Sequence, residues 1–244
     1  MARYVLKYGG TSVADAERLY AAARTMAVLR REGHEVVAVL SAQGASTDAL
    51  IARAREIDPD CGGRELDQLL STGEICSVSL CAMALHRLGL RAVSLCGWQA
   101  GLLTQSVHGS ARVLGLQSDR IARELETGNI VLVAGFQGID AEGDVTTLGR
   151  GGSDTTAVAL AALLHADCCR IYTDVDGVYT ADPRKFPDAI KYDTMTYDEM
   201  LTLARGGAQV LHDRCVELAR QKNVVIEVRS AFHAGTGTVI GTKD

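Results

Sequence analysis

Short apolar runs alternate along the chain with longer segments in which apolar residues recur every three to four positions. The short runs predict buried β-strands, and the periodic segments predict amphipathic helices. The predicted strands cover residues 4–6, 35–40, 92–95, 130–134, 170–173, 224–228 and 239–240. The predicted helices cover residues 14–31, 47–57, 65–88, 154–164, 197–204 and 208–221. Strands separated by helices indicate a three-layer α/β fold, in which helices cover both faces of a mainly parallel central sheet.

The length of 244 residues suits one large domain or two small ones. An apolar share of 47% is enough to build a core and excludes an intrinsically disordered chain. No internal repeat, low-complexity segment or linker divides the sequence. We therefore expect one compact domain over residues 1–244, with an N-terminal and a C-terminal lobe.

Charge and cysteine usage narrow the class of function. The net charge is -5 and no block of Lys or Arg occurs, which argues against a nucleic-acid or anionic-membrane partner. No run reaches the roughly 18 apolar residues that span a bilayer, and the start lacks a signal-peptide pattern, so we expect a cytoplasmic protein. The seven cysteines are odd in number and lack CxxC spacing, which indicates neither a disulfide framework nor a zinc site. Small-molecule chemistry is favoured.

In open α/β sheets, ligands bind outside the carboxyl ends of the strands. The first predicted strand is followed there by a glycine-rich loop, KYGGTS at residues 7–12. Its glycines allow an anion to approach the backbone, and Lys7 adds a positive charge. The loop matches neither a Walker A nor a dinucleotide-binding motif, and a plain turn with a solvated lysine is the alternative.

A second loop, LGRGGSD at residues 148–154, places a guanidinium among glycines immediately before a predicted helix. Arginine is well shaped for bidentate binding of carboxylate or phosphate groups, so Arg150 is a candidate anion ligand. Ser153 or Asp154 is alternatively the N-cap of that helix.

Three further segments offer polar groups. Loop 173–184 has aspartates at a spacing found in calcium loops but lacks the closing glutamate of an EF-hand, so a nucleotide-enclosing loop fits better and a plain surface loop stays open. Residues 41–47 supply hydroxyl groups after a buried strand. Glu74 lies in an apolar helical segment, where it either faces water or meets a cationic ligand such as an ammonium group.

Cationic and anion-binding elements combined with carboxylates suit phosphoryl transfer, in which the protein supplies mainly positioning and charge neutralisation. A nucleotide-binding regulator without catalysis is the rival interpretation.

Four strings, KYGGTSV at 7–13, VAGFQG at 133–138, TLGRGGSDTTA at 147–157 and TDVDGVY at 173–179, closely resemble the aspartate kinases of the amino acid kinase superfamily. They occur in the same order, and the similarity covers essentially the whole chain. The resemblance implies the amino acid kinase fold and ATP-dependent phosphorylation of the side-chain carboxylate of L-aspartate. Its product, 4-phospho-L-aspartate, begins the route to lysine, threonine, methionine and diaminopimelate.

The resemblance also implies roles for individual residues. Lys7 and Asp154 are the implied catalytic pair, because Lys7 is the main cation for the transferred phosphoryl group and Asp154 orients it. The implied ATP-binding residues are Lys7, Tyr8, Gly9, Gly10, Thr173, Asp174, Tyr179, Arg184, Gln209 and Val210. The implied substrate-binding residues are Ser41, Thr47, Glu74, Arg150 and Ser153, with Glu74 at the ammonium and Arg150 at a carboxylate.

The resemblance further implies Mg2+ with ATP, held chiefly by phosphates and water rather than by a protein metal site. Residues 1–150 are the expected aspartate-binding lobe, and residues 151–244 are the expected nucleotide-binding lobe. The expected partners are L-aspartate, ATP and a second copy of the chain in a homo-oligomer, a dimer. The alternatives are an amino acid kinase for another small carboxylate and a non-catalytic nucleotide-binding subunit.

Two departures from the family pattern bear on these expectations. Gln209 stands where a lysine is frequent and Asp213 where a proline is frequent, so we expect altered ATP affinity with the chemistry retained. The sequence ends at Asp244 without the ACT-type regulatory domains that many aspartate kinases carry, which fits either a shortened chain or a natural short enzyme. Sensitivity to end products is therefore the property least expected.

Overall fold

The computed structural model describes residues 1–117, 119–183, 185–208 and 210–242, which form two β-sheets and seven α-helices. The strands are β1 (Arg3–Tyr8), β2 (Glu35–Leu40), β3 (Ala92–Leu95), β4 (Leu102–Thr104), β5 (Val113–Leu116), β6 (Ile130–Ala134), β7 (Gln137–Ile139), β8 (Val145–Thr147), β9 (Cys168–Thr173), β10 (Thr194–Thr196), β11 (Ile226–Ser230) and β12 (Thr238–Gly241). The helices are α1 (Ala16–Arg31), α2 (Ser46–Ile57), α3 (Gly63–Arg87), α4 (Asp119–Glu126), α5 (Gly152–Leu163), α6 (Tyr197–Arg205) and α7 (Asp213–Lys222).

The central sheet has eight strands in the order β10-β12-β11-β9-β1-β2-β6-β3 within the described ranges. Neighbouring strands run parallel, except that β11 and β12 pair antiparallel. Strand β1 lies between β2 and β9, so the loops after these three strands meet at one edge of the sheet. The predicted α/β fold with a mainly parallel sheet is confirmed, and strands 35–40, 92–95 and 130–134 have the predicted bounds.

Helices cover both faces of the central sheet, as strand β2 illustrates. Val37 and Val39 enter the core that is shared with α4, α5, α6 and α7. Val36, Ala38 and Leu40 enter the core that is shared with α1 and α3. Because both faces of β2 are buried, the strand is apolar from Val36 to Leu40 rather than alternating between apolar and polar residues.

The sequence does not predict the second sheet, which has the strand order β5-β4-β7-β8. Its strands contain three or four residues each, too few to display a clear period of two. Strand β8 packs against α3, and β5 packs against α5. Strand β10 and helix α4 are also absent from the sequence prediction.

The helix predicted over residues 208–221 begins at Asp213, so its predicted start is wrong. Gly207 follows the end of α6 with a φ of 101°, a backbone conformation that ends a right-handed helical path. His212 then caps α7, because its Nδ1 accepts a hydrogen bond from the Arg214 N–H at 3.4 Å.

Helix α3 is, among the described residues, the one helix long and apolar enough to cross a membrane by length and composition. More than half of its apolar stretch is buried inside the protein, as in a core helix, so this feature is weak evidence for a membrane. The helix also carries two buried carboxylates, Asp67 and Glu74.

Candidate active site

A buried ion pair joins the end of β1 to the first turn of α5. Lys7 Nζ lies 2.8 Å from Asp154 Oδ1, and each side chain is only 12% exposed. Because little water reaches the pair, its attraction is stronger than that of a surface ion pair. The structure thus brings together the two residues predicted to be catalytic. Lys7 is therefore not the solvated lysine that the alternative interpretation expects.

Gly9 and Gly10 bring the backbone close to Lys7 and to the loop after β2. A Cβ atom on Gly10 would lie 2.6 Å from the carbonyl oxygen of Ala42, a contact that side chains do not make. A Cβ atom on Gly9 would lie 3.4 Å from Lys7 Nζ. The Gly44 N–H also donates to the Gly10 carbonyl at 3.0 Å. The glycines therefore let two strand-end loops pack together beside the ammonium group.

The side chain of Tyr8 points away from these loops. It is buried in the core under α1 and α3, where its ring stacks on Tyr172 with centroids 4.7 Å apart. Burial raises the pKa of the Tyr8 hydroxyl well above its usual value. The Tyr8 carbonyl accepts a hydrogen bond from the Ser41 N–H at 3.1 Å. A contact between Tyr8 and a nucleotide would therefore have to use backbone atoms.

The loop before α5 exposes a guanidinium between two glycines. Gly149 and Gly151 have φ values of 75° and 71°, which only glycine adopts without strain. Arg150 is exposed and makes no ion pair or hydrogen bond to the described residues. Gly151 is the N-cap of α5, so the alternative in which Ser153 or Asp154 caps the helix is wrong. The first-turn N–H groups and the guanidinium together form an anion-binding edge.

Ser153 is buried against the end of β6. A Cβ atom on Gly135 would lie 2.7 Å from Ser153 Oγ, so glycine allows this close approach of strand and helix. The next residue, Phe136, has a φ of 69° and donates its N–H to Thr156 Oγ1 at 3.2 Å. A positive φ in a non-glycine residue is strained, and such strain is concentrated at functional sites.

Glu74 is the second buried carboxylate of the region. It is 3% exposed, and its Oε1 accepts a hydrogen bond from the Ala42 N–H at 3.1 Å. Its Oε2 is buried and accepts no hydrogen bond from the described residues. Burial raises the pKa of Glu74 to about 7. The alternative of a water-facing glutamate is therefore wrong. Oε2 can still accept a hydrogen bond from a cationic donor.

Ser41 directly follows β2, and Thr47 lies in the first turn of α2. Both residues are half-buried, and neither side chain makes a hydrogen bond within the described ranges. The backbone of Ala42, the residue after Ser41, contacts both Glu74 and Gly10. Its N–H contacts Glu74, and its carbonyl packs on Gly10 beside the lysine. Ser41 is therefore adjacent to the residue that contacts both Glu74 and Gly10, whereas Thr47 lies in the following helix.

The loop after β9 is organised by Asp176. Its Oδ1 accepts a hydrogen bond from the Tyr179 hydroxyl at 2.7 Å, and its Oδ2 lies 3.3 Å from Lys191 Nζ. These contacts, the Tyr179 hydrogen bond foremost, lower the pKa of Asp176. Thr173 ends β9 and donates its hydroxyl to Asp174 Oδ1 at 3.1 Å. The loop is therefore held by its own side chains rather than arranged as a calcium loop.

Of the remaining predicted nucleotide contacts, only Val210 lies within the described residues. Val210 is half-buried and packs against the core beside α7. Arg184 and Gln209 lie outside the described residues. Within the described ranges, no cluster of three or more His, Cys, Asp or Glu residues is arranged to hold a metal ion.

Two residues of this region were not singled out by the sequence. Asp67 lies seven positions before Glu74 in the same apolar helix, a spacing that places both carboxylates on one helix face. His212 packs against the loop before α5, because a Cβ atom on Gly151 would lie 2.4 Å from His212 Cβ. The spacing of Asp67 was visible in the sequence, whereas the contact of His212 depends on the tertiary fold.

Known proteins are similar to this chain over nearly its whole length. The amino acid kinase family matches residues 2–230 of the chain. An aspartokinase from Bacillus sp. (strain MGA3) is 50% identical over 240 residues, which cover 98% of this chain and 58% of that protein. The chain spans about three fifths of the length of the curated relatives that it matches.

Solved structures share the fold described above. The aspartate kinase from Synechocystis has a TM-score of 0.87 and 45% sequence identity, over 98% of this chain and 40% of that one. The structure of E. coli aspartokinase III in complex with aspartate and ADP has a TM-score of 0.88 and 28% identity. That similarity covers 99% of this chain and 65% of the E. coli chain.

Proposed function

Because the chain belongs to the amino acid kinase family, we propose that it transfers the γ-phosphoryl group of ATP to the side-chain carboxylate of L-aspartate. The products are 4-phospho-L-aspartate and ADP, as in the first step of the aspartate-derived amino acid pathway. The names of relatives at about 50% identity support this activity, and so does the aspartate and ADP complex of the E. coli structure.

The buried carboxylate of Glu74 supports the proposal most directly. An amino acid substrate carries an ammonium group, and Glu74 has one buried oxygen that receives no hydrogen bond from the part of the chain that the structure describes. A carboxylate taken out of water is stabilised when it meets a cation in this position. A phosphate or nucleotide ligand would instead be repelled by this group.

The carboxylate groups of the substrate bind to the positively charged side of the site. Arg150 offers a guanidinium that no described residue pairs with, and the N-terminal turn of α5 with Ser153 lies beside it. Ser41 adds a hydroxyl group from the loop after β2, and Thr47 adds one from the first turn of α2. An amino acid with a second carboxylate, such as aspartate, therefore matches the arrangement of cation and anion sites.

Lys7 acts on the transferred group. Its ammonium neutralises charge on the γ-phosphoryl group as the transition state forms, and Asp154 holds it in place. Gly9 and Gly10 allow the phosphates to approach the backbone. The β-carboxylate of the substrate attacks the phosphorus in line, so no covalent intermediate with the protein is required.

ATP and its metal ion complete the proposal. The nucleotide lies along the edge formed by Thr173, Asp174, Tyr179 and Val210, and Arg184 and Gln209 belong to the same proposed set. Mg2+ is bound mainly by phosphate oxygens and water, because the described residues offer no cluster of metal ligands. When bound, it neutralises phosphate charge.

The proposal also covers the two lobes, the oligomeric state and the location of the enzyme. Residues 1–150 form the aspartate-binding lobe and residues 151–244 the nucleotide-binding lobe of one cytoplasmic enzyme. The enzyme acts as a dimer, without nucleic-acid or membrane partners.

A hydroxylamine trap tests the activity. Hydroxylamine converts an acyl phosphate into a stable hydroxamate, so the chain is incubated with ATP, Mg2+, hydroxylamine and single amino acids. Aspartate hydroxamate is expected in amounts equal to the ADP released, with none from glutamate or without ATP. Hydroxamate from another acid alone, or from none, would overturn the proposal.

A further inference from the structure

Asp67 is a buried carboxylate outside the proposed reaction centre. It is 1% exposed and lies on the same face of α3 as Glu74, about two turns nearer the N-terminus. Its oxygens accept hydrogen bonds from the Thr147 N–H at 2.8 Å, the Thr147 hydroxyl at 2.7 Å and the Gly109 N–H at 2.9 Å. His108 Nδ1 lies 3.2 Å away. Donors thus surround the carboxylate.

These donors belong to two segments that meet each other. Thr147 is the last residue of β8, and its carbonyl accepts a hydrogen bond from the Ala111 N–H at 2.9 Å. Gly109 lies between β4 and β5, and its carbonyl oxygen would be 3.0 Å from a Cβ atom on Gly149. The chain from Gly109 to Ala111 therefore packs directly against the turn that begins at Gly149.

That turn carries Arg150, which follows Thr147 by three positions. Asp67 therefore fastens the start of the Arg150 loop, and the segment packed on it, to the helix that carries Glu74. Arg150 itself has no contact that fixes it among the described residues. Its position depends on the backbone on which it is mounted.

We propose that Asp67 is a positioning residue for the amino acid substrate, which sets the separation of Arg150 from Glu74. The inference rests on the proposed function, in which these two side chains bind the carboxylate and the ammonium of the substrate. Asp67 touches neither group of the substrate and acts through Thr147 and Gly109.

The chemistry of the carboxylate explains why an amide cannot replace it. Asn at position 67 offers one acceptor oxygen and an NH2 group, so a donor would face the Thr147 or Gly109 donors. A buried N–H would lose its acceptor, and the loop would be held less firmly. In this variant, part of the binding free energy is used to order the Arg150 loop, so the affinity for the substrate falls. The chemistry at Lys7 is unchanged.

Steady-state kinetics of Asp67→Asn test the proposal, with Asp140→Asn as the matched control. Asp140 is also buried and accepts hydrogen bonds from the Glu142 and Asp144 N–H groups, at the opposite end of β7 and β8. We expect Asp67→Asn to raise the KM for aspartate about tenfold, with kcat and the KM for ATP changed less than about threefold. The control should leave both KM values unchanged.

An unchanged KM for aspartate in Asp67→Asn, or an equal rise in the control, would overturn the proposal. An equal rise in the KM for ATP would also overturn it. If Asp67→Asn fails to fold, Thr147→Val removes only the hydroxyl hydrogen bond and should raise the KM for aspartate about twofold to threefold. An unchanged KM in that variant would count against the proposal.

Hydrogen exchange gives a readout that does not require turnover. Amides of residues 109–112 and 147–152 should exchange faster in Asp67→Asn than in the wild type, but not in Asp140→Asn. Unchanged exchange would overturn the positioning role. A wild-type chain that forms no aspartate hydroxamate would instead overturn the proposed function, so the two failures are distinguishable.

Discussion

Lys7 and Asp154 form a 2.8 Å ion pair across the contact between β1 and α5. The carboxylate fixes the ammonium beside the Gly9 loop, where a γ-phosphoryl group would arrive. Both side chains are largely buried, so removing either one would leave the other as a buried charge with neither a counter-ion nor full solvation. The pair therefore acts as one unit in the proposed reaction.

Replacing Lys7 by alanine should lower kcat by about a hundredfold to a thousandfold, because charge stabilisation in the transition state is lost. The KM for aspartate should change little, since Lys7 does not bind the amino acid. The control is Lys222→Ala, at the exposed end of α7, which should keep wild-type kcat.

A double-mutant cycle checks that the pair acts as a unit. Asp154→Asn should also lower kcat, but the same change made in a Lys7→Ala background should cost little more. Additive losses would show that the two side chains act independently, contrary to the proposed role of Asp154.

The KM for aspartate should depend on pH through Glu74. Its pKa is raised to about 7 by burial, and only the ionised carboxylate attracts an ammonium group. The ionised fraction rises about tenfold from pH 6 to pH 8, so the KM for aspartate should fall by a similar factor over this range. In Glu74→Gln the KM should be higher and nearly independent of pH. A wild-type KM that stays constant from pH 6 to pH 8 would contradict this assignment.

Ionisation of Glu74 should also affect the stability of the unliganded protein. Rising pH should favour aspartate binding but lower the free energy of unfolding. Because the folded-state pKa of Glu74 is raised above 4.5 to about 7, the folded protein holds a proton that the unfolded chain has lost in this window. The contribution of Glu74 to the free energy of unfolding therefore falls as pH rises. Relative to Glu74→Gln, the wild type should lose about 2 kcal/mol between pH 5 and pH 8.

Urea unfolding of both proteins at the two pH values measures that difference. Parallel pH dependences in the wild type and Glu74→Gln would show that burial does not hold the proton on this carboxyl group.

Gly10→Ala should disturb the site through sterics alone. The added methyl group would lie 2.6 Å from the Ala42 carbonyl, so the segment that binds Glu74 must move. We expect a loss of about 1–3 kcal/mol in the free energy of unfolding, as for other overpacked positions. The control is Gly115→Ala, where a Cβ atom meets nothing within 4 Å. Equal thermal unfolding of the two variants would refute the close approach of the loops.

The layout of the sheet could be predicted because its strands are buried on both faces. Strand β2 is a continuous apolar run from Val36 to Leu40, and that pattern predicts the strand. The second sheet could not be predicted, since a strand such as Val145–Thr147 is too short to show periodicity. Its pairing depends on contacts between distant parts of the chain.

The sequence predicts which residue types form the site better than it predicts the direction in which their side chains point. Burial of a carboxylate in the apolar segment around Glu74 was one of two possibilities, and only the fold decides between them. The inward direction of Tyr8 follows from alternation with Leu6, because residues two apart in a strand share a face. Contacts such as that of Asp67 with Thr147 link distant segments and leave no local pattern.

The most direct measurement compares L-aspartate with succinate, which has the same two carboxylates but no ammonium group. The ratio of kcat/KM for aspartate to that for succinate is determined for the wild type and for Glu74→Gln. If Glu74 binds the ammonium group, this ratio should fall at least about tenfold in the variant, while kcat/KM for succinate changes less than about threefold. An unchanged ratio would contradict the assignment of Glu74 and with it the proposed orientation of the substrate.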